Sequence, residues 1–137
     1  MFDIAKFKAG DDERPVDLPI EYPNGEPIIG TDGKPVVLQV VSIDDPRYKR
    51  VQRRVIDERI AKSQRKRGNK AMSAAELEQE AVRLVAAAIV GWTPNMQNDG
   101  QPFPYTAENA EALCRGLPFV QEQVDAAIND RERFFKG

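Results

Sequence analysis

The apolar residues of this chain change their spacing at Asp44-Asp45-Pro46, and that change limits the folds open to it. Before this point the pattern is that of strands. VDLPI at 16–20 and VVLQVVSI at 36–43 are rich in β-branched residues, which suit a pleated, half-buried surface. Pro23-Asn24-Gly25 and Asp32-Gly33-Lys34-Pro35 separate them with turn chemistry. A small antiparallel hairpin or three-stranded meander is the natural reading. Pro15, Pro19, Pro27 and Pro35 lack the N–H a central strand must donate, which places these strands at sheet edges. A sheet this small is not stable alone and should pack on helices or be mobile.

After Asp45 the apolar residues recur at helical steps. An Asp cap followed by proline at the first helical position starts a helix. Its stripe is Tyr48, Val51, Val55, Ile56 and Ile60, and it should fray at Arg67-Gly68-Asn69. Ser73-Ala74-Ala75-Glu76 is a capping box. Leu77, Ala81, Leu84, Val85, Ala88, Ile89 and Trp92 then continue one face, widened by Val82 and Val90, with Gly91 at the helix end. A loop over 93–104 carries an Asp99-Gly100 turn. Thr106 caps a short helix bearing Ala110, Leu113 and Cys114, closed by Gly116. Pro118 opens the last helix, with Phe119, Val120, Val124, Ala127 and Ile128 on its stripe.

The predicted fold class is mainly α (α+β): a short N-terminal β-hairpin or meander, then about four helices near 45–67, 73–91, 106–115 and 118–134, in one small domain. Residues 1–43 form the extended β-rich lead-in and 44–137 the helical domain, with a hinge at 61–72. The 137 residues suffice for one core.

Histidine is absent and Cys114 is the one cysteine. That excludes a Cys/His zinc site, a Ser-His or Cys-His nucleophile pair and an internal disulfide. Neither a dinucleotide-binding glycine motif nor a P-loop is present. Glu76 and Glu80 share a helix face, but an acidic first turn is favoured by the helix dipole without any cation. Asn95, Asn98 and Asp99 lack the spacing and terminal glutamate of a calcium loop. Asp11, Asp12 and Glu13 read as a solvated turn, and Cys114 as a small buried hydrophobe. No catalytic residue, cofactor or metal is therefore expected, and the chain reads as a non-enzymatic binding protein. No signal peptide or membrane span is read either, since the longest apolar run covers only 84–90.

Charge is uneven. Residues 47–70 hold 11 Lys/Arg against Asp57 and Glu58, a local excess of +9 in a chain of net charge -2. Such a row suits phosphate contacts. It lacks exposed aromatics for base stacking, however, and the chain's pI of about 5.3 is acidic. A solvated face, or one that docks on an acidic protein, is the better reading. The charge split would also support head-to-tail self-association. Trp92 and Phe119 read as core. Met96, Phe103 and Tyr105 stay open between core and an exposed patch of the residue types enriched where proteins meet. The candidate partner-binding residues are thus Arg47, Arg50, Arg53, Arg54, Met96, Phe103 and Tyr105.

Several short segments together suggest a family. They are Val90-Gly91-Trp92, a loop with Asp99-Gly100, PYTAENA at 104–110, Leu117-Pro118-Phe119, and a last helix closing on Asp130 and Phe134. More loosely, PNGEP at 23–27 leads toward a first helix at Pro46. The last third of the chain resembles the tail assembly chaperones of long-tailed bacteriophages, the lambda-type G protein family. The resemblance implies a protein of the infected host's cytoplasm, absent from the finished virion. Its partners would be the tape measure protein, which it holds, and tail tube protein, which it recruits. A longer frameshifted form is usual in that family, and the Phe134-Phe135-Lys136-Gly137 ending is compatible with one. Two other readings remain: a tail-completion or connector protein retained in the virion, and a nucleic-acid-binding regulator acting through the 47–70 helix.

Overall fold

The computed structural model describes residues 14–65 and 72–135. Strands β1 (Val16–Pro19), β2 (Val37–Val40) and β3 (Ile89–Trp92) form an antiparallel sheet in the order β1-β2-β3. Around it run α1 (Pro46–Arg65), α2 (Ala74–Ala87), α3 (Ala107–Gly116), α4 (Pro118–Asn129) and the short α5 (Glu132–Phe135). A two-residue hairpin, β4 (Gln97–Asn98) and β5 (Gln101–Pro102), stands in the loop before α3. The fold is α+β with N-terminal strands, as the change of period predicts.

The sheet buries one face because its side chains alternate. Val16, Val40 and Ile89 align across it in one row, and Leu18, Leu38 and Trp92 in the next. Asp17 and Gln39 point the other way and are exposed. The chain between β1 and β2 turns twice, at the two predicted places. Gly25 and Gly33 have φ of 88° and 77°, the left-handed conformation that glycine adopts without a Cβ clash. Asn24 and Asp32 brace these turns by accepting the N–H of Glu26 and Lys34.

β2 is the central strand, so the edge placement read from the prolines holds for β1 alone. Pro35 precedes β2, whose ladder therefore keeps its donors, and Pro19 ends edge strand β1. The third strand is the larger correction. The stretch 89–92, read as the end of a long helix, is extended, and Gly91 lies within β3 instead of closing α2. Ala88 caps α2, and its carbonyl accepts the N–H of Val41. The second edge of β2 needs a partner for its peptide groups, and Ile89-Val90 are β-branched residues at low cost in a strand. Helical periodicity ran through this segment, and the tertiary demand of β2 overrode it.

The helix caps follow the sequence closely. The Asp45 carboxylate is fully buried and accepts from the Arg47 N–H and guanidinium. Ser73 and Glu76 complete both bonds of the capping box, and Thr106 accepts from the Asn109 N–H. The Asn129 amide donates to the Asp125 carbonyl, and α4 ends there, with the Asp130 N–H bonding back to the Ala127 carbonyl in a tighter last turn. The single helix read over 118–134 is consequently two, α4 and α5.

α1 and α2 lie against each other, tied by ion pairs of Arg59 with Glu80 and of Arg83 with Glu58. Only Tyr48 and Val55 of α1 are buried. Ile56 and Ile60, read as part of the buried stripe, are 47% and 52% exposed. At 100° per residue they fall well round the helix from Val55, beyond what α2 covers. Leu77 of α2 is likewise 51% exposed. The solvated turn at 11–13, the fraying at 67–69 and positions 66–71 of the expected hinge lie outside the described residues. Residues 61–65 of that hinge are helical.

One apolar core joins the sheet to the helices. Leu38, Val40 and Val41 meet Val85 and Ile89, Ala110 and Leu113 of α3, and Val120, Val124 and Ile128 of α4. Cys114 is fully buried in it. Burial pushes its thiol pKa up to about 11, with the Glu111 charge adding to the shift. The thiol therefore stays protonated and inert at neutral pH. Labelling by an aromatic disulfide reagent is expected to follow global unfolding across a urea series. A fast native-state reaction would contradict this burial.

Candidate protein-binding surfaces

The seven candidate residues do not form one site. The structure distributes them over two grooves and one open helix face.

Met96 and Phe103 line an apolar groove of about 360 Å³, together with Ile20, Ile28, Val36, Leu113 and Leu117. The β-rich lead-in supplies one wall, the end of α3 another, and the 93–104 loop the third. Met96 and Phe103 are half-buried, and Leu117 at the rim is 38% exposed. The loop is rigidly placed. Trp92 stacks on Phe103 with ring centroids 5.6 Å apart, and meets Tyr105 edge-on at 5.3 Å. Its indole N–H donates to the Phe103 carbonyl at 2.9 Å. The Met96 carbonyl accepts the Phe103 N–H, closing the small hairpin between them. Trp92 is half-buried and acts as a post for this loop, and Phe119 is half-buried as well, so neither is a full core plug.

Tyr105 belongs to a second groove, of about 350 Å³, with Arg47, Arg54, Arg83 and Glu111 over Val51, Ile89 and Val90. Its hydroxyl donates to the Ile89 carbonyl at 2.9 Å, tying the loop to β3. Burial raises the phenol pKa, against the smaller opposing effect of Arg47. Arg47 itself is committed to Asp45 at 3.0 Å. Its first role is to neutralise a buried carboxylate at the start of α1.

Arg50 and Arg53 lie in neither groove. They stand on the outer face of α1, exposed, and among the described residues no ion pair engages them or Arg54. Other acidic candidates are structurally occupied. Glu76 closes the capping box and Glu80 holds Arg59. Among the described residues no group of three or more His, Cys, Asp or Glu side chains is placed to hold a metal ion. No described helix is long and apolar enough to cross a membrane.

Sequence reasoning missed most of the apolar groove. By sequence Ile20 belongs to a strand and Leu117 to a helix start. Only the turns at Gly25 and Gly33 bring the lead-in over α3. The one available signal was Ile28-Ile29, an apolar pair in a Pro/Gly-rich stretch that otherwise reads as solvated.

Fold and surfaces together define a small α+β domain with an open apolar groove and a separate unpaired basic helix face. No protein-family model, curated protein or solved structure matches the chain.

Proposed function

We propose that this protein is a non-enzymatic tail assembly chaperone of the long-tailed bacteriophage type. In this reading it holds the tape measure protein in the cytoplasm of the infected host, recruits tail tube subunits, and is left out of the finished virion. The observation that carries the reading is the position of the resembling segments. Of these, Leu117 lines the groove of Met96 and Phe103, and Trp92 stacks on the Phe103 ring that forms part of its wall. A groove of this size, lined by Met, Phe, Leu and Ile with few polar groups, suits one apolar stripe of a long amphipathic helix. Met and aromatic side chains adapt to a repeating partner without demanding one sequence.

The test is co-expression of the tagged protein with the tail genes of its source phage, followed by identification of what it retains. Recovery of a long helical protein, soluble only in its presence, supports the proposal. Leu117→Lys is expected to cut that recovery roughly tenfold, since a charge replaces an apolar anchor worth on the order of 1.4 kcal/mol. Its thermal melt should stay close to wild type, because Leu117 lies at the rim. Recovery of the chain in purified particles would instead favour a connector.

The unpaired Arg50, Arg53 and Arg54 keep a second reading in view, binding of nucleic acid along α1. Retention on single- or double-stranded DNA at low salt, lost on charge reversal of these three, would support it. No retention by the wild-type protein would remove it.

A further inference from the structure

We propose that two copies of the protein pair symmetrically over the seam where α1, α2 and α4 meet, the α1 edge of each copy lying on the α4 edge of the other.

A third groove, of about 340 Å³, runs along this seam. Tyr48 of α1, Ala81 and Leu84 of α2 and Pro118 of α4 give it an apolar floor, and Glu122 and Asp125 line its α4 side. The apolar lining continues onto the open surface. Leu77, Ala81 and Leu84 follow at steps of four and three residues, a single stripe of α2, and Leu77 is 51% exposed. On α1, Ile56 stands about two turns beyond Tyr48 and roughly 80° further round the helix, at ~100° per residue. That is the side away from Val51, which faces the groove of Tyr105. Ile56 is 47% exposed. Arg59 and Glu80, each one turn beyond Ile56 and Leu77, pair with one another, so both apolar side chains flank the same seam. Bare apolar side chains around an apolar groove mark a surface that something covers.

The two rims of the seam carry opposite charge. Lys49 lies beside Ile56 on the α1 edge, with Arg53 just beyond it, and both are exposed. Glu122 and Asp125 are exposed on the α4 edge. Asp125 is near enough to Tyr48 for its charge to add to the upward shift that burial gives the phenol pKa. Among the described residues no ion pair engages Lys49, Arg53, Glu122 or Asp125.

Across the seam the order is therefore cations, apolar centre, carboxylates. A half-turn about an axis through the centre reverses that order. A second copy so placed sets its carboxylates on these cations, its cations on these carboxylates and its apolar centre on this one. Such self-complementarity is what an isologous contact requires. Both rims are used in a single pairing, so association stops at two copies. Charge supplies steering and register, and the apolar centre supplies the burial. The inference does not rest on the proposed function, since the groove of Met96 and Phe103 has a different lining.

Sedimentation velocity of the purified full-length protein over a concentration series tests it. The expected result is monomer and dimer alone, with the mass levelling at two copies. K49E/R53E and E122K/D125K should each weaken the dimer by at least roughly tenfold, with thermal melts unchanged where the wild type is monomeric. All four changes in one chain should restore it, because a polarity reversed as a whole is again self-complementary. Ala81→Arg, which sets a long charged side chain at the exposed centre, should abolish pairing. A wild-type protein that stays monomeric at every concentration would overturn the proposal, and so would growth beyond two copies. A dimer indifferent to both double reversals and to Ala81→Arg, or no recovery in the fourfold variant, would overturn it equally.

Discussion

Leu38→Ala is expected to destabilise the fold by roughly 2–5 kcal/mol, the range for removing a large aliphatic side chain from a core that cannot collapse around the gap. Leu38 is completely buried in the central strand β2, with Leu18 of β1 on one side and Trp92 of β3 on the other. Both neighbours are fixed by backbone ladders, so neither can move in to fill the space. A domain of this size is stable by only about 5–15 kcal/mol, so this one change removes a large share of the total. Ile60→Ala removes comparable apolar bulk from a position 52% exposed, and a shift within about 0.5 kcal/mol is expected there. Urea unfolding of the two variants side by side measures the difference. Equal losses would mean that Ile60 is covered in solution or that Leu38 is not.

Asn95→Ala is expected to cost roughly 2–4 kcal/mol, because several hydrogen bonds of one buried amide are lost together. Asn95 is 6% exposed in a loop. Its amide donates to Asp32 Oδ1 at 2.9 Å and to the carbonyls of Lys34 and Pro35, and its own oxygen accepts from the Thr93 hydroxyl. The Thr31 N–H adds a bond to the Asn95 carbonyl. Together these bonds join the lead-in turn to the loop after β3. The fit leaves no spare room. A Cβ at Gly30 would stand 2.4 Å from both the Asn95 carboxamide carbon and its backbone oxygen. Gly30→Ala should therefore cost about 1–3 kcal/mol, and most of that cost should survive in the Asn95→Ala background, because the backbone oxygen remains.

The same bond carries a pH signature. The Asn95 amide is the main cause holding the Asp32 carboxyl below the usual carboxylate range, with the Lys34 N–H next. A carboxyl lowered by folding adds stability that is complete above its unfolded value near ~4 and is lost as pH falls through its lower folded value. Asn95→Ala should move the Asp32 titration upward, and side-chain carboxyl NMR reads this directly. An unmoved Asp32 would show that the amide does not reach it in solution.

The Met96–Phe103 groove depends on this joint. The lead-in carries Ile20, Ile28 and Val36 to one wall, and the loop carries Met96 and Phe103 to another. Variants at Asn95 or Gly30 are therefore expected to lower partner retention along with stability, whereas Leu117→Lys lowers retention alone.

Much of this was legible locally. The Asp45, Ser73 and Thr106 caps, proline at the start of α1 and α4, the glycine turns at 25 and 33, and the Asp99-Gly100 hairpin turn each depend on a few neighbouring residues. Short-range hydrogen bonding and allowed backbone angles decide them, so the order of residues is sufficient. What the chain order could not decide was which competitor would win at a distance. Ile89-Val90-Gly91-Trp92 satisfies a helical period and a strand equally, and the unpaired edge of β2, some fifty residues earlier in the chain, settles it as a strand. Ile56 and Ile60 fit the buried stripe by spacing and are exposed, because α2 covers only one arc of α1. The separation of Met96 and Phe103 from Tyr105, and of Arg47 from Arg50 and Arg53, has the same origin. Neighbours in sequence leave a turn or a helix in different directions, and only the packing of distant segments determines which of them share a surface.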